Sequence, residues 1–201
     1  MSLIVKGVDT ISIIDVVRIH EAAFKKFFLT TLGSKFLETY YKSVNNADDG
    51  ILIGCYDEGK LVGFVSGSLL CAGFNKKLIK NNLITFSLVG LSLLFTNPKA
   101  LLHLKKNLEK KDSDHGDDGN YVELASIGVD PNCQGQGAGT KLLKEFENYC
   151  RKKNQRVITL TTDYEDNDGV LKFYQNNGFE PWYNFVTFPN RRMYKMRKML
   201  K

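Results

Sequence analysis

Gln134-Gly135-Gln136-Gly137-Ala138-Gly139 is the stretch on which the reading of this chain depends. Residues 121–129 before it read as a strand, with Glu123, Ala125, Ile127 and Val129 on one face. The run after it, 140–153, carries Leu142, Leu143, Phe146 and Tyr149 or Cys150 at helical spacing, and Asn154 can end it. Three glycines at every second position leave backbone N–H groups uncovered and permit φ angles that other residues avoid. A glycine turn that opens a helix gathers unpaired N–H groups and the positive end of the helix dipole at one point. The expectation is a phosphate-binding turn between a strand and a helix.

Two nucleotide readings fail on spacing. The dinucleotide fingerprint requires a glycine three residues after its second, and counted from Gly137 that position is Thr140. The P-loop requires Gly-Lys-Ser/Thr, and the chain has Gly139-Thr140-Lys141. The pattern that is met is Gln-x-x-Gly-x-Gly, at Gln134, Gly137 and Gly139. It resembles the acyl-CoA pyrophosphate loop of the GNAT family of N-acetyltransferases.

Composition allows this and narrows the alternatives. Hydrophobic residues make up 43% of 201 residues and charged residues 25%, as in an ordinary globule, so one domain (1–201) is the simplest reading. The net charge of +6 comes without a nucleic-acid motif, which favours an anionic small ligand and a solvated basic surface over nucleic acid as partner. Cys55, Cys71, Cys133 and Cys150 form no C-x-x-C pair, and with three histidines no zinc spacing is complete, so no metal is expected. Asp112, Asp114 and Glu123 imitate a calcium loop, but its sixth position, which requires glycine, is Asp117. The longest apolar-rich run, 83–95, is shorter than the ~20 residues a bilayer span needs. Residues 1–7 lack a signal pattern. A cytoplasmic protein without integral membrane association is the expectation.

In chain order, residues 3–6 read as a short strand, and Asp9 or Thr10 can cap a helix reaching about residue 26. His20 on that helix reads as structural. Gly33-Ser34 opens a second helix with Phe36, Leu37, Tyr40, Tyr41 and Val44 as its apolar stripe. Strands at 51–56 and 61–68 flank Asp57-Glu58-Gly59-Lys60, a hairpin, and Gly63 and Gly67 in the second imply a close neighbour. Residues 69–120 form an insertion: amphipathic helices at about 76–95 and 98–110, then a loop rich in Asp and Gly. After the glycine turn and its helix come a strand at 157–161, a short helix at 167–176 stopped by Gly178, and an antiparallel pair at 182–188 and 193–199.

This order, the loop, and Asn167-(x5)-Phe173-Tyr174-(x3)-Gly178-Phe179 together strengthen the resemblance to the GNAT acetyltransferases, which covers most of the chain outside 69–120. It implies an α/β (α+β) fold with a mixed, mostly antiparallel central sheet, flanking helices, and the insertion between the third and fourth strands. It implies that the sheet splays between its fourth and fifth strands, that acetyl-CoA enters the split, and that transfer to an amine is direct. Backbone groups of Ile127, Gly128 and Val129 would pair with the pantetheine arm, and an N–H there would polarise the thioester carbonyl. Gln134, Gly135, Gln136, Gly137, Ala138, Gly139 and Thr140 would hold the pyrophosphate. Asn167 would bond the pantetheine, with Phe173 beside it. Tyr174 would be the general acid and Glu123 the base. A second base used by some members, five residues before the asparagine, is missing, because Thr162 stands there.

The expected acceptor is a primary amine on a small molecule, an amino sugar among the candidates. A protein or peptide acceptor, or a non-catalytic CoA-binding module, are the alternatives. The insertion is expected to pack over the cleft and build the acceptor side, with a homodimer contact as the second reading, and the sheet rim or a membrane surface as further ones.

Overall fold

The computed structural model describes residues 4–6, 11–25, 27–99, 118–187 and 190–201. Seven strands form one sheet: β1 (Ile4–Lys6), β2 (Gly50–Asp57), β3 (Lys60–Ser68), β4 (Val122–Val129), β5 (Val157–Asp163), β6 (Glu180–Thr187) and β7 (Arg191–Met199). Their spatial order is β1-β2-β3-β4-β5-β7-β6. Every neighbouring pair is antiparallel except β4–β5. Antiparallel neighbours close with tight turns, as Glu58-Gly59 does between β2 and β3. Parallel neighbours need a crossover, and the glycine turn with its helix, α6 (Ala138–Lys152), supplies it.

The parallel pairing is short. It joins Val122–Leu124 to Ile158–Leu160 and stops. Past that point β4 follows β3 as far as Val129, while β5 follows β7 as far as Asp163. The two strands part, and the sheet opens between them.

A bulge sits where they part. The β3–β4 register jumps between Ser66↔Ser126 and Gly67↔Leu124, leaving Ala125 as an extra residue on β4. A slip of one residue reverses which face each later side chain takes. Val122 and Leu124 therefore share the α6 face with Ile127 and Val129, while Gly128 turns to the opposite face, where an added Cβ would lie 3.1 Å from Phe24 and from Phe64. The predicted common face for Glu123, Ala125, Ile127 and Val129 is corrected by this bulge. The close neighbours expected at Gly63 and Gly67 are present: an added Cβ at Gly63 would lie 3.0 Å from the Gly128 carbonyl oxygen, and one at Gly67 2.8 Å from Phe146.

Helices cover both faces. On one side α6 buries Leu142, Leu143, Phe146 and Cys150, the predicted stripe, and each of the larger side chains is worth roughly 1.5–3 kcal/mol. On the other side α1 (Ile13–Ala23) and α3 (Ser34–Asn45) bury Val16, Ile19, Leu37 and Tyr41 against Leu52 and Phe64. Asp9 and Thr10, the expected caps of α1, lie outside the described residues, and Ser12 accepts the capping bond from Asp15 N at 3.3 Å. A short helix, α2 (Phe28–Thr31), follows α1 and has no counterpart in the sequence reading.

Between β3 and β4 the segment predicted as one amphipathic helix is two: α4 (Phe74–Asn81) and α5 (Leu83–Thr96). Asn82 breaks them, its backbone at φ −122° and ψ 33° and its amide donating to Leu78 O at 3.0 Å. Phe74 and Leu78 of α4 pack on Val44 of α3, and Leu93 of α5 packs on Leu32 and Phe36. The rest of the predicted 98–110 helix, beyond residue 99, and the Asp/Gly loop up to residue 117 fall outside the described residues.

Candidate active site

The opening between β4 and β5 is a cleft of about 960 Å³. Its wall comes from both strands, from the glycine turn, from the helix after β5, α7 (Asp168–Asn176), and from the α1–α2 connection.

The glycine turn forms one end. Gly135 and Gly137 have φ of 76° and 83°, in the left-handed region, and a Cβ on either would meet no atom within 4 Å. The loop therefore presents bare backbone to open space. Gly137 caps α6, and the first intrahelical bond there is Lys141 N to Gly137 O at 3.0 Å. The N–H groups of Ala138, Gly139 and Thr140 precede that bond, so they stand at the helix opening with its partial positive charge. These features fit a pyrophosphate. The approach to the loop is held by a contact the sequence reading missed. Asp130 accepts from Arg18 of α1 at 2.8 Å and from Asn132 N at 3.1 Å. The Arg18 hydrogen bond, together with that of Asn132, keeps the Asp130 carboxyl below the ordinary range.

α7 lies beside the loop, with Phe173 close to Gly139. An added Cβ there would stand 3.6 Å from the Phe173 ring. Phe173 and Tyr174 meet edge to face at 5.3 Å, and Tyr174 rests on Phe179 at 5.7 Å. Tyr174 is 6% exposed and lines the cleft. Burial pushes its phenol above the ordinary tyrosine value, so it is neutral at physiological pH. Asn167 donates to Thr162 Oγ1 at 2.8 Å and to Asp163 O at 2.9 Å, which ties the start of α7 to the end of β5.

The other end is walled by Phe24, Phe27, Phe28 and Leu29. Asp163, at the end of β5, receives two hydrogen bonds from the guanidinium of Arg191, at the start of β7. The same guanidinium lies 4.9 Å over the Phe27 ring. Asp163, Arg191 and Phe27 thus bridge the α1–α2 connection to the β6–β7 hairpin across the cleft.

His20 also lines the cleft and is only 2% exposed. Its Nδ1 shares a 2.7 Å hydrogen bond with the Tyr41 hydroxyl, and its buried Nε2 has no partner among the described residues. Burial lowers its pKa to about 4, so it is neutral at pH 7. The unfolded chain, with His near 6.5, binds the proton more readily between those values, so stability is complete above about 6.5 and falls as pH drops towards 4. Denaturant titrations of wild type and His20→Gln should differ by about 3 kcal/mol in the loss incurred between pH 7 and 4. Parallel pH curves would show that His20 takes the proton freely in the fold.

The structure brings most of the predicted residues to the wall. Ile127, Val129, Gln134, Gly135, Gly137, Ala138, Gly139, Thr140, Asn167, Phe173 and Tyr174 all line the cleft. Gly128, Gln136 and Glu123 do not. Glu123 sits where β4 and β5 are still paired, opposite Thr159, beside Leu124 of the wall. Its carboxylate is 3.4 Å from Nζ of the buried Lys195, which lies 4.9 Å over the Tyr121 ring. No described residue of 69–120 lines the cleft: α4 and α5 sit against α2 and α3, and the remainder of the insertion expected to pack over the cleft, residues 100–117, lies outside the described residues.

A strand, a bare glycine turn and a helix opening on a split mixed sheet define an acyl-CoA-binding acetyltransferase architecture. The model of the acetyltransferase (GNAT) family matches residues 15–179, and the chain belongs to that family. Over 74 residues it is 34% identical to an uncharacterized N-acetyltransferase of Methanocaldococcus jannaschii, a match covering 37% of this chain and 29% of that relative's length. The same fold occurs in the ribosomal-protein-S18-alanine N-acetyltransferase of Escherichia coli, with a TM-score of 0.62 at 13% identity, covering 100% of this chain and 95% of the other. It occurs also in the PaiA N-acetyltransferase of Thermoplasma acidophilum, whose structure was solved in complex with coenzyme A, with a TM-score of 0.54 at 15% identity and complete coverage of both chains. Members of this family use acetyl-CoA as co-substrate.

Proposed function

We propose that the chain transfers the acetyl group of acetyl-CoA directly to the primary amine of a small molecule. The observation that carries this is the β4–β5 split, with bare glycine backbone and a helix opening at one end and an aromatic wall at the other. The backbone of Ile127 and Val129, beyond the point where β5 stops pairing with β4, takes the pantetheine arm as an added strand, displacing the 3.5 Å bond from the Gln134 side chain to Val129 O. The Ala138–Thr140 N–H groups take the pyrophosphate.

The acceptor enters at the Phe24–Leu29 end. The Asp163–Arg191–Phe27 bridge narrows that end, which suits an amine presented at the tip of its molecule. The aromatic wall suits an apolar amine better than an amino sugar, whose hydroxyls would lose their water there. The same narrowing would admit the N-terminal amine of a peptide, and that is the second reading.

An amine reacts only when neutral. Glu123, set back beside Leu124 of the wall, takes its proton through water, and the nitrogen attacks the thioester carbonyl carbon. The carbon–sulfur bond breaks, Tyr174 donates to the departing sulfur, and the extra proton left on the amide nitrogen returns through water to the Tyr174 phenolate. Because burial keeps the Tyr174 phenol protonated, the donor is present throughout the pH range in which the amine becomes neutral. Thiol release from acetyl-CoA, assayed against apolar amines, amino sugars and short peptides, tests the reading. Turnover confined to peptides would move it to the second one.

Glu123→Gln should lower kcat/KM by roughly 10²-fold and move the acidic limb of the pH profile upward, since only amine already neutral would then react. The melting temperature belongs in the same experiment, because the substitution also weakens the contact with Lys195. An unchanged profile would leave Glu123 as the partner of Lys195 alone.

A further inference from the structure

The surface of α5 carries an inference that does not depend on the transfer reaction. Leu83 to Thr96 contains no charged residue. One side of the helix, with Phe86, Val89 and Leu93, packs against Phe28, Leu32 and Phe36. The other side is in the open: Ile84 is 79% exposed, Leu88 63% and Leu91 54%. Spacings of four and three residues place these three side chains on one helix face. A helix that is apolar all round is one covered all round, and an exposed apolar face of this kind marks an interaction surface.

The charge around α5 decides what covers it. From Leu69 to Lys99 the chain has Lys76, Lys77, Lys80 and Lys99 and no acidic residue. Lys80 is exposed just before the helix and Lys99 just after it. A second copy laid antiparallel across the face would bring the Lys80 end of one helix to the Lys99 end of the other, and a parallel copy would bring like ends together. Both arrangements set lysines against lysines, with no acid in the segment to separate them. A bilayer with anionic headgroups meets both requirements at once. Its acyl boundary takes Ile84, Leu88 and Leu91, and its headgroups take the lysines. At 14 residues α5 is shorter than the ~20 needed to span, and among the described residues no helix is long and apolar enough to cross a membrane, so α5 would lie in the interface plane.

We propose that α5 docks the protein on an anionic phospholipid surface. Docking would place the cleft close to lipid, because Phe28 and Leu29 pack beside α5 and also line the cleft.

Co-sedimentation with phosphatidylcholine vesicles, with and without phosphatidylglycerol, tests this. Wild type should bind the phosphatidylglycerol vesicles, release with added salt, and bind phosphatidylcholine alone far more weakly. Leu88→Glu puts a charge on the exposed face and should weaken binding at least tenfold. Lys80→Gln and Lys99→Gln should each weaken it roughly fivefold. Unchanged acetyl-CoA affinity in the variants shows that the fold is kept, since none of these residues lines the cleft. No binding to phosphatidylglycerol vesicles at low salt, or binding indifferent to Leu88→Glu, would overturn the proposal. A wild-type dimer that Leu88→Glu converts to monomer, with no vesicle binding, would also overturn it and assign the face to a second copy.

Discussion

Gly139→Glu should abolish useful acetyl-CoA affinity while leaving the protein folded. Gly139 occupies the first turn of α6 with ordinary helical backbone, and a Cβ there makes an unstrained 3.6 Å contact with Phe173. An acid in the first turn also interacts favourably with the helix dipole, by ~0.3–1 kcal/mol. The fold therefore has no reason to fail. The pyrophosphate would need the same N–H groups at the same helix opening. Two like charges about 4 Å apart near a protein surface repel by roughly 4 kcal/mol, so the dissociation constant should rise by roughly 10²–10³-fold. Gly139→Ala adds the carbon without the charge and should bind almost as wild type does. Gly137 is the poorer site for this experiment, because at φ 83° any side chain strains the backbone. Calorimetry showing wild-type affinity in folded Gly139→Glu would remove the loop from the cofactor site.

Tyr174→Phe should lower kcat by ~10²-fold with little change in acetyl-CoA affinity. The substitution deletes one oxygen and leaves the ring between Phe173 and Phe179, so packing and melting temperature should hold. The loss would belong to the step in which the sulfur departs. Steady-state turnover with a saturating amine, set beside acetyl-CoA binding, separates that step from affinity. Full turnover in the variant would leave Tyr174 as a core residue that happens to face the cleft.

The sequence disclosed the parts of this molecule that are written locally. The glycine turn, the α6 stripe and the Glu58-Gly59 hairpin each depend on a few adjacent residues, and each is present as read. The bulge was not legible. Glu123, Ala125, Ile127 and Val129 alternate cleanly in sequence, and only the register against Gly67 shows that Ala125 is extra. The α4–α5 break was hidden because Leu78, Ile79, Leu83 and Phe86 keep near-helical spacing on either side of the polar Lys80-Asn81-Asn82. The clamps at the two ends of the cleft were hidden by distance. Arg18 meets Asp130 across 112 positions and Arg191 meets Asp163 across 28, and single-chain periodicity carries no signal for either.

The shortness of the β4–β5 ladder also bears on how the molecule coheres. β1 through β4 and β5, β7 and β6 are two half-sheets sewn together by three residue pairs, with α6 crossing from one to the other. A ligand strand laid in the gap replaces rungs that the polypeptide leaves out. Under the proposed binding mode, the co-substrate would then serve as mortar as well as reagent. The two halves would hold together most tightly when it is bound, and would regain their independence each time the thiol product leaves.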